Sequence, residues 1–156
     1  MQPDWILIDG YNLLHTMDEL ASLLRTDTQL ARHRLVRMVE GTAHRMAPKT
    51  TIVFDGREAG QDDALTSNHL EIYFSPGRHT ADTIIERLVA RFPNPGKILV
   101  VTSDRAEANV VLSDGAQVMS SQEFMAQCEA DSRKTVQKQP RPGQEPKLGD
   151  LFPDGL

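Results

Sequence analysis

The fold is decided by the stretch Trp5-Ile6-Leu7-Ile8-Asp9-Gly10-Tyr11-Asn12. Its apolar residues lead into a carboxylate, a glycine and a polar turn, and a short apolar run bounded by a turn is typical of a buried strand. Because the run shows no polar alternation, we expect a strand covered on both faces, as in a parallel sheet. Asp9 then lies at the carboxyl end of that strand, which is the edge where open α/β sheets bind their ligands.

Three later acids are placed where they can reach the same edge. Asp55 follows the strand predicted at residues 50–54, Asp104 follows the strand predicted at 97–102, and Asp82 lies in the first turn of a predicted helix. Each acid alone has an ordinary structural interpretation. An aspartate after a strand can cap a turn or a helix, and an aspartate in the first turn of a helix interacts favourably with the helix dipole. Together with Asp9 they predict one cluster of carboxylates, which repel one another unless a cation occupies the site.

Composition bounds the class of protein. The 156 residues suit one domain with a real core, and 39% hydrophobic and 25% charged residues are ordinary for a globular protein. The formal net charge of −5 argues against coating nucleic acid by bulk charge, but not against holding a phosphodiester through metal and a few arginines. Cys128 is the only cysteine, which excludes an intramolecular disulfide and disfavours a thiolate metal site.

The sequence shows neither the pattern of a membrane span nor that of a signal peptide. No apolar run approaches the roughly 20 residues of a membrane span. The N-terminus leads directly into a strand, without the pattern of a signal peptide. We therefore expect a cytoplasmic protein that does not contact a membrane.

Alternating apolar patterns predict the element order β-α-α-β-β-α-β-α-β-α, which indicates a three-layer α/β/α domain. Thr80 is the predicted N-cap of a helix whose apolar stripe ends before Pro93. Two capping boxes predict further helix starts, Thr16 with Glu19 and Ser120 with Glu123. The strand predicted at residues 69–74 alternates only in part, so we place it near an edge of the sheet, after a mobile loop at 57–68.

The composition changes from about Asp131, where prolines stand among lysine, glutamine and glycine with few apolar residues. Such a segment cannot bury enough surface to order itself. We predict one folded domain over residues 1–130 and a disordered C-terminal tail over residues 131–156.

Several basic and aromatic residues are candidates for contacts with nucleic acid. Arg57 follows the Asp55 strand end and Arg78 precedes Asp82, so both are candidate phosphate contacts or ordinary loop arginines. Tyr11 is a candidate for stacking on a base, or a packing residue after the first strand. The group Arg32, His33, Arg34 and Arg37 is interpreted as a solvated helix face, with contact to nucleic acid as the alternative.

Four motifs occur in order, and together they resemble the YacP-like branch of the NYN domain, within the wider PIN-like nucleases. The motifs are Asp9-Gly10-Tyr11-Asn12, Val53-Phe54-Asp55-Gly56, His79-Thr80-Ala81-Asp82 and Val101-Thr102-Ser103-Asp104. The match covers residues 4–128. The resemblance implies a PIN-like domain with a mainly parallel five-stranded sheet of order 3-2-1-4-5 and metal-dependent cleavage of RNA. Members of this branch are associated with cutting messenger RNA on the ribosome.

The resemblance also implies roles for single residues. Asp9 resembles the first-strand metal ligand, Asn12 the polar partner beside it, Asp82 the acid borne on a helix, and Asp104 the acid after the fourth strand. Asp55 matches the second-strand acid of the catalytic set. Oxygen ligands suit Mg²⁺ or Mn²⁺, and a bound ion of this kind activates water without a separate base residue.

Glu86 lies four residues after Asp82, on the same helical face. It is either a supporting acid of the site or a solvated partner of a nearby arginine.

Other classes of protein remain as alternatives. A haloacid-dehalogenase-type phosphatase needs a second acid where this chain has Tyr11, and a receiver domain pairs two acids after its first strand, where only Asp9 stands. The serious alternative to a metal-dependent endoribonuclease is a PIN-like fold that binds RNA or a ribosomal partner without cleaving. Degenerate members usually lose the acids, and their presence here disfavours that alternative.

Overall fold

The structure is a computed structural model, and it describes residues 2–56, 67 and 69–137. Arg57, most of the loop predicted at 57–68 and the chain beyond Gln137 lie outside the described residues. No helix in the described ranges is long and apolar enough to cross a membrane.

A five-stranded parallel sheet forms the centre of the molecule, with strand order β3-β2-β1-β4-β5. The strands are β1 Trp5–Asp9, β2 Lys49–Phe54, β3 Leu70–Phe74, β4 Ile98–Val101 and β5 Gln117–Met119. The predicted parallel sheet and its order are confirmed, and β3 lies at an edge as its partial alternation indicates.

Helices cover both faces of the sheet and give the three predicted layers. They are α1 Gly10–Leu14, α2 Asp18–Thr26, α3 Thr28–Met46, α4 Ala81–Arg91, α5 Arg105–Ser113 and α6 Ser121–Gln137, with a 3-10 turn at Pro95–Lys97. Alternate residues of β1 enter two separate cores, because successive side chains of a strand point to opposite faces. Ile6 and Ile8 pack with α1, α2, α3 and α6. Leu7 packs with α4 and α5 on the other face.

One of the two predicted capping boxes is wrong. Helix α2 begins at Asp18 after Met17, whose side chain makes no capping hydrogen bond. Thr16 instead donates to the Asn12 carbonyl at 3.1 Å, because the short helix α1, missed by the sequence analysis, precedes it. At the start of α6 the predicted N-cap is confirmed, since the Glu123 N–H donates to Ser120 Oγ at 3.0 Å.

Helix α6 continues past the boundary predicted at residue 130. The Asp131 carboxylate accepts hydrogen bonds from Thr42 Oγ1 and Arg45 Nη2 of α3, each at 2.7 Å. Residues 131–137 therefore belong to the helix rather than to a tail. A disordered tail beyond Gln137 stays a prediction.

The interpretation of residues 32–37 as a solvated face is wrong at its first member. Arg34 and Arg37 are exposed, but Arg32 is buried against the rings of Phe54 and Phe74. Helix α3 turns Arg32 toward the aromatic residues that end β2 and β3.

Candidate active site

The carboxyl edge of the sheet collects the predicted acids. Asp9 is the last residue of β1, Asp55 follows β2, and Asp104 follows β4 after two residues. Because β2 and β4 flank β1, Asp55 and Asp104 lie on opposite sides of Asp9. Asp82 is in the first turn of α4, which packs against β1 and β2.

Asp9 is a half-buried carboxylate that caps helix α1, and it accepts the Asn12 N–H at 3.3 Å. Burial raises its pKa to about 6, and the charges of Asp82 and Asp104 add to the rise. The Asn12 N–H and a hydrogen bond with Glu107 hold the pKa of Asp9 lower than burial alone would set it. Asp82, Asp104 and Glu107 therefore all lie close enough to Asp9 to change its pKa, and the four residues are called the acid cluster below.

Glu107 is the member of the acid cluster that sequence reasoning missed. It lies on α5 and is 1% exposed. Thr102 Oγ1 donates to its Oε2 at 2.8 Å, while its Oε1 is buried and accepts no hydrogen bond from the described residues. Burial and then the charge of Asp9 raise the pKa of Glu107 to about 8. The available sequence signal was its position three residues after Asp104, which puts both acids on one helical turn.

Asp104 is the N-cap of α5, and its carboxylate is exposed. Its Oδ1 accepts from the Ala106 N–H at 2.9 Å and from the Glu107 N–H at 3.2 Å. Both capping bonds use Oδ1, so capping leaves Oδ2 available. The structural interpretation and the site interpretation of this residue are therefore compatible.

Asp82 is oriented by Thr80. Thr80 is the predicted N-cap of α4, and its hydroxyl accepts from the Thr83 N–H at 3.4 Å. The same hydroxyl donates to Asp82 Oδ1. Thr80 therefore starts the helix and also fixes the rotamer of the acid two residues later.

Asn12 ties three elements together. Its side-chain oxygen accepts from the Ser103 N–H at 2.8 Å and from Ser121 Oγ at 2.5 Å. An amide oxygen has two lone pairs, and these two bonds use both. Asn12 thus holds the loop before Asp104 against α1 and α6, and its oxygen is not left over for a metal.

The remaining candidates are distributed around the edge. Tyr11 is half-buried and packs edge-on against Phe54, with ring centroids 5.2 Å apart, which is the packing alternative for this residue. Arg78 is exposed in the connection between β3 and α4. Burial and then the charge of Asp82 raise the pKa of Glu86, which shows that Glu86 lies near the acid cluster.

The side chains that the structure describes form no closed metal cage. Within residues 2–56, 67 and 69–137, no three His, Cys, Asp or Glu side chains are grouped so that they could hold a metal ion. The donor set nevertheless fits a hard cation, since the acid cluster offers only oxygen atoms and no described residue donates to the buried Glu107 Oε1. Mg²⁺ usually keeps several waters and takes one or two carboxylates directly. The arrangement fits a water-rich Mg²⁺ or Mn²⁺ site rather than a fully protein-ligated one.

Comparison with known proteins agrees with this fold. YacP of Bacillus subtilis (strain 168) is 28% identical over 133 residues, which cover 84% of this chain and 78% of that protein. The crystal structure of Rae1 (YacP) from Bacillus subtilis is similar with a TM-score of 0.72 and 28% identity, over 86% of this chain and 79% of that one. A mutant form of Rae1 gives a TM-score of 0.71 at 27% identity, over 86% and 80% of the two chains. A family model, the YacP-like NYN domain, matches residues 6–151, so this chain belongs to the YacP-like NYN domain family.

Proposed function

We propose that this protein is a divalent-metal-dependent endoribonuclease that hydrolyses phosphodiester bonds of RNA, with Mg²⁺ or Mn²⁺ as its cofactor. Membership of the family supports a nuclease-like function related to RNA. The observation that carries the proposal is the acid cluster, in which burial and mutual repulsion raise the pKa values of Asp9 and Glu107. A cation would relieve that repulsion, which otherwise only costs stability.

The residues have separable roles in this proposal. Asp9, Asp82 and Asp104 hold the ion, directly or through water. When bound, the ion supplies an activated water and stabilises charge on the phosphate. Thr80 orients Asp82, Thr102 orients Glu107, and Asn12 holds the loop that carries Asp104. Asp55, on the β2 side of Asp9, completes the catalytic set carried over from the family.

The substrate is proposed to be messenger RNA, cut in association with the ribosome. The support is the behaviour of the family together with the charge of this chain. A net charge of −5 repels an RNA strand at long range, so either local cations or a partner must bring the substrate to the edge. Arg57 and Arg78 are proposed as two of the local cations.

The substitution Asp9→Asn tests the enzyme directly, because it removes a charge and nearly preserves shape. Cleavage of RNA in Mg²⁺ or Mn²⁺ should fall by more than about 100-fold, the upper end of the loss seen even for outer partners of a metal. Thermal stability should hold or rise, since one member of a repelling cluster is gone. Asp27→Asn is the matched control, because Asp27 is also an aspartate N-cap, on α3, and accepts from the Leu30 N–H at 3.0 Å.

The alternative is a binding module that holds RNA or a ribosomal partner without cutting. It predicts no product from any RNA, and RNA affinity in EDTA that is unchanged or raised by Asp9→Asn. Wild-type protein and Asp9→Asn that are equally inert on free and translated RNA, with either metal, would establish the binding module.

A further inference from the structure

A buried arginine lies at the same edge of the sheet as the acid cluster. Arg32, in the second turn of α3, is 5% exposed. Its Cζ is 5.3 Å from the centroid of the Phe74 ring and 5.9 Å from that of Phe54. Phe54 and Phe74 are the last residues of β2 and β3, so the guanidinium is at the carboxyl edge.

The ring of Phe54 connects Arg32 with the residues that follow Asp9. Tyr11 packs edge-on against this ring. A Cβ added to Gly10 would lie 2.4 Å from its Cε1, so the backbone directly after Asp9 rests on the same ring. Arg32 therefore belongs to the surroundings of the acid cluster, on the side toward β2 and β3.

The charge of Arg32 has no anion among the described residues. Within the part of the chain that the structure describes, its Nε is buried without a hydrogen-bond partner, and its guanidinium lies against the two aromatic rings. Burying a cation is costly unless it is paired, and stacking on aromatic rings offsets only part of that cost. Arg45 of the same helix shows the usual arrangement, with its Nη2 2.7 Å from the Asp131 carboxylate. The two rings hold the Arg32 guanidinium in a fixed orientation, and no described residue supplies an anion to pair with its charge.

We propose that Arg32 binds a backbone phosphate of the RNA strand, next to the phosphate that meets the acid cluster. The inference rests on the proposed function and adds a residue that recognises the substrate. A guanidinium presents a rigid fork of donors that matches phosphate, and aromatic stacking orients that fork before the ligand arrives. The strand then crosses the edge from the acids on β1 and β4 toward β3.

Binding of a single-stranded RNA oligonucleotide in EDTA, measured over a range of salt concentrations, tests this proposal. Arg32→Met should weaken binding about tenfold and reduce the slope of log affinity against log salt by about 0.7, the value for one lost phosphate contact on a single strand. Arg32→Lys keeps the charge and should retain the slope, while affinity falls because the fork is lost. Arg34→Met is the matched control, since Arg34 is exposed on the same helix and its Nη1 lies 3.5 Å from Glu19 Oε1.

The melting temperature separates a ligand contact from a structural one. Arg32→Met should melt at or above the wild-type temperature, because an unpaired buried charge is replaced by an apolar chain of similar length. Unchanged RNA affinity and salt slope in Arg32→Met would overturn the proposal. A lower melting temperature with unchanged binding would do so too, and would assign the anion to a carboxylate of this chain. Wild-type protein that neither binds nor cleaves RNA would defeat the proposed function together with this inference.

Discussion

Glu107 is the residue at which burial and charge conflict most. Its carboxyl group is enclosed beside Asp9, and one oxygen accepts from Thr102 while the other accepts from none of the residues that the structure describes. Its pKa rises from an ordinary 4.5 to about 8, so the folded protein without metal holds a proton there that the unfolded chain releases. Folding without metal therefore favours the neutral form of this acid.

The substitution Glu107→Gln should remove a pH-dependent loss of stability. A carboxyl whose folded pKa is raised stabilises the fold fully below its unfolded pKa and loses that contribution as pH rises through the folded pKa. In EDTA, wild type and Glu107→Gln should have similar unfolding free energies near pH 4.5, and the variant should be the more stable near pH 8. Urea unfolding at the two pH values measures both.

Glu129→Gln is the control for that experiment, because Glu129 is exposed on α6. It should leave the pH dependence as in wild type. If Glu107→Gln and wild type differ equally at both pH values, then Glu107 does not hold a proton in the folded protein and the electrostatic account of the acid cluster is wrong.

Single residues differ in how far the sequence predicts them. Asp9 and Asp104 are local signals, since each follows an apolar strand, and the structure places both at one edge. Glu107 and Arg32 depend on which face of a helix meets the sheet. Arg32 stands in a run of charged residues typical of a solvated face, and Phe54 and Phe74, which cover it, come from two distant strands.

At the scale of elements, the strand order follows from the resemblance rather than from periodicity. Apolar patterns located the strands, but nothing local says that β1 lies between β2 and β4. Helix α1 was missed because five residues are too few to show a helical stripe. Its absence from the prediction led to the wrong capping box at Thr16.

The turn after β2 is fixed by a close backbone approach, which can be tested with a pair of glycines. A Cβ on Gly56 would lie 1.6 Å from the Ser75 carbonyl oxygen, which belongs to the backbone and cannot rotate away. Gly41 lies in α3, and a Cβ there would meet nothing within 4 Å. Gly56→Ala should cost about 1–3 kcal/mol of unfolding free energy, whereas Gly41→Ala should add about 0.5–1 kcal/mol.

Chemical denaturation of the two variants measures both effects on one protein. The proposed cleavage of RNA should also be weaker in Gly56→Ala, because Gly56 follows Asp55 and its N–H donates to Ser75 Oγ at 3.0 Å. Wild-type stability in Gly56→Ala would show that the connections after β2 and β3 move apart without cost, and that this edge is not rigid.

At the scale of the whole molecule, the end of α6 determines how far the protein can be truncated from its C-terminus without losing stability. Asp131 joins α6 to Thr42 and Arg45 of α3, and the hydrogen bonds from Arg45 and Thr42 lower its pKa to about 2. A chain ending at Ala130 should melt below wild type. A chain ending at Gln137 should melt close to wild type, because the removed segment is poor in apolar residues.

Calorimetry of the two truncated proteins measures the difference between their melting temperatures. Repeating the measurement at lower pH provides the control. An acid with a depressed folded pKa stabilises the fold above its unfolded pKa, and the contribution is lost as pH falls through the folded value. The gap between the two truncations should therefore narrow as pH falls from the ordinary value of 3.8 toward 2. Equal melting of both chains at neutral pH would show that Asp131 contributes nothing to the packing of α6 on α3.

At the scale of the whole molecule, the proposed metal site links metal binding, protonation and folding, because all three would depend on the acid cluster. A cation bound only to the folded state raises stability by about 2.7 kcal/mol at 100 times its dissociation constant. Protons compete for Asp9 and Glu107, whose pKa values of about 6 and about 8 bracket neutrality. The rise in melting temperature with Mn²⁺ should therefore be larger near pH 8 than below pH 6. A thermal-shift titration should show this rise in wild type and Asp27→Asn and lose it in Asp9→Asn. An equal rise in Asp9→Asn and wild type would place the metal elsewhere and remove the physical basis for the enzyme.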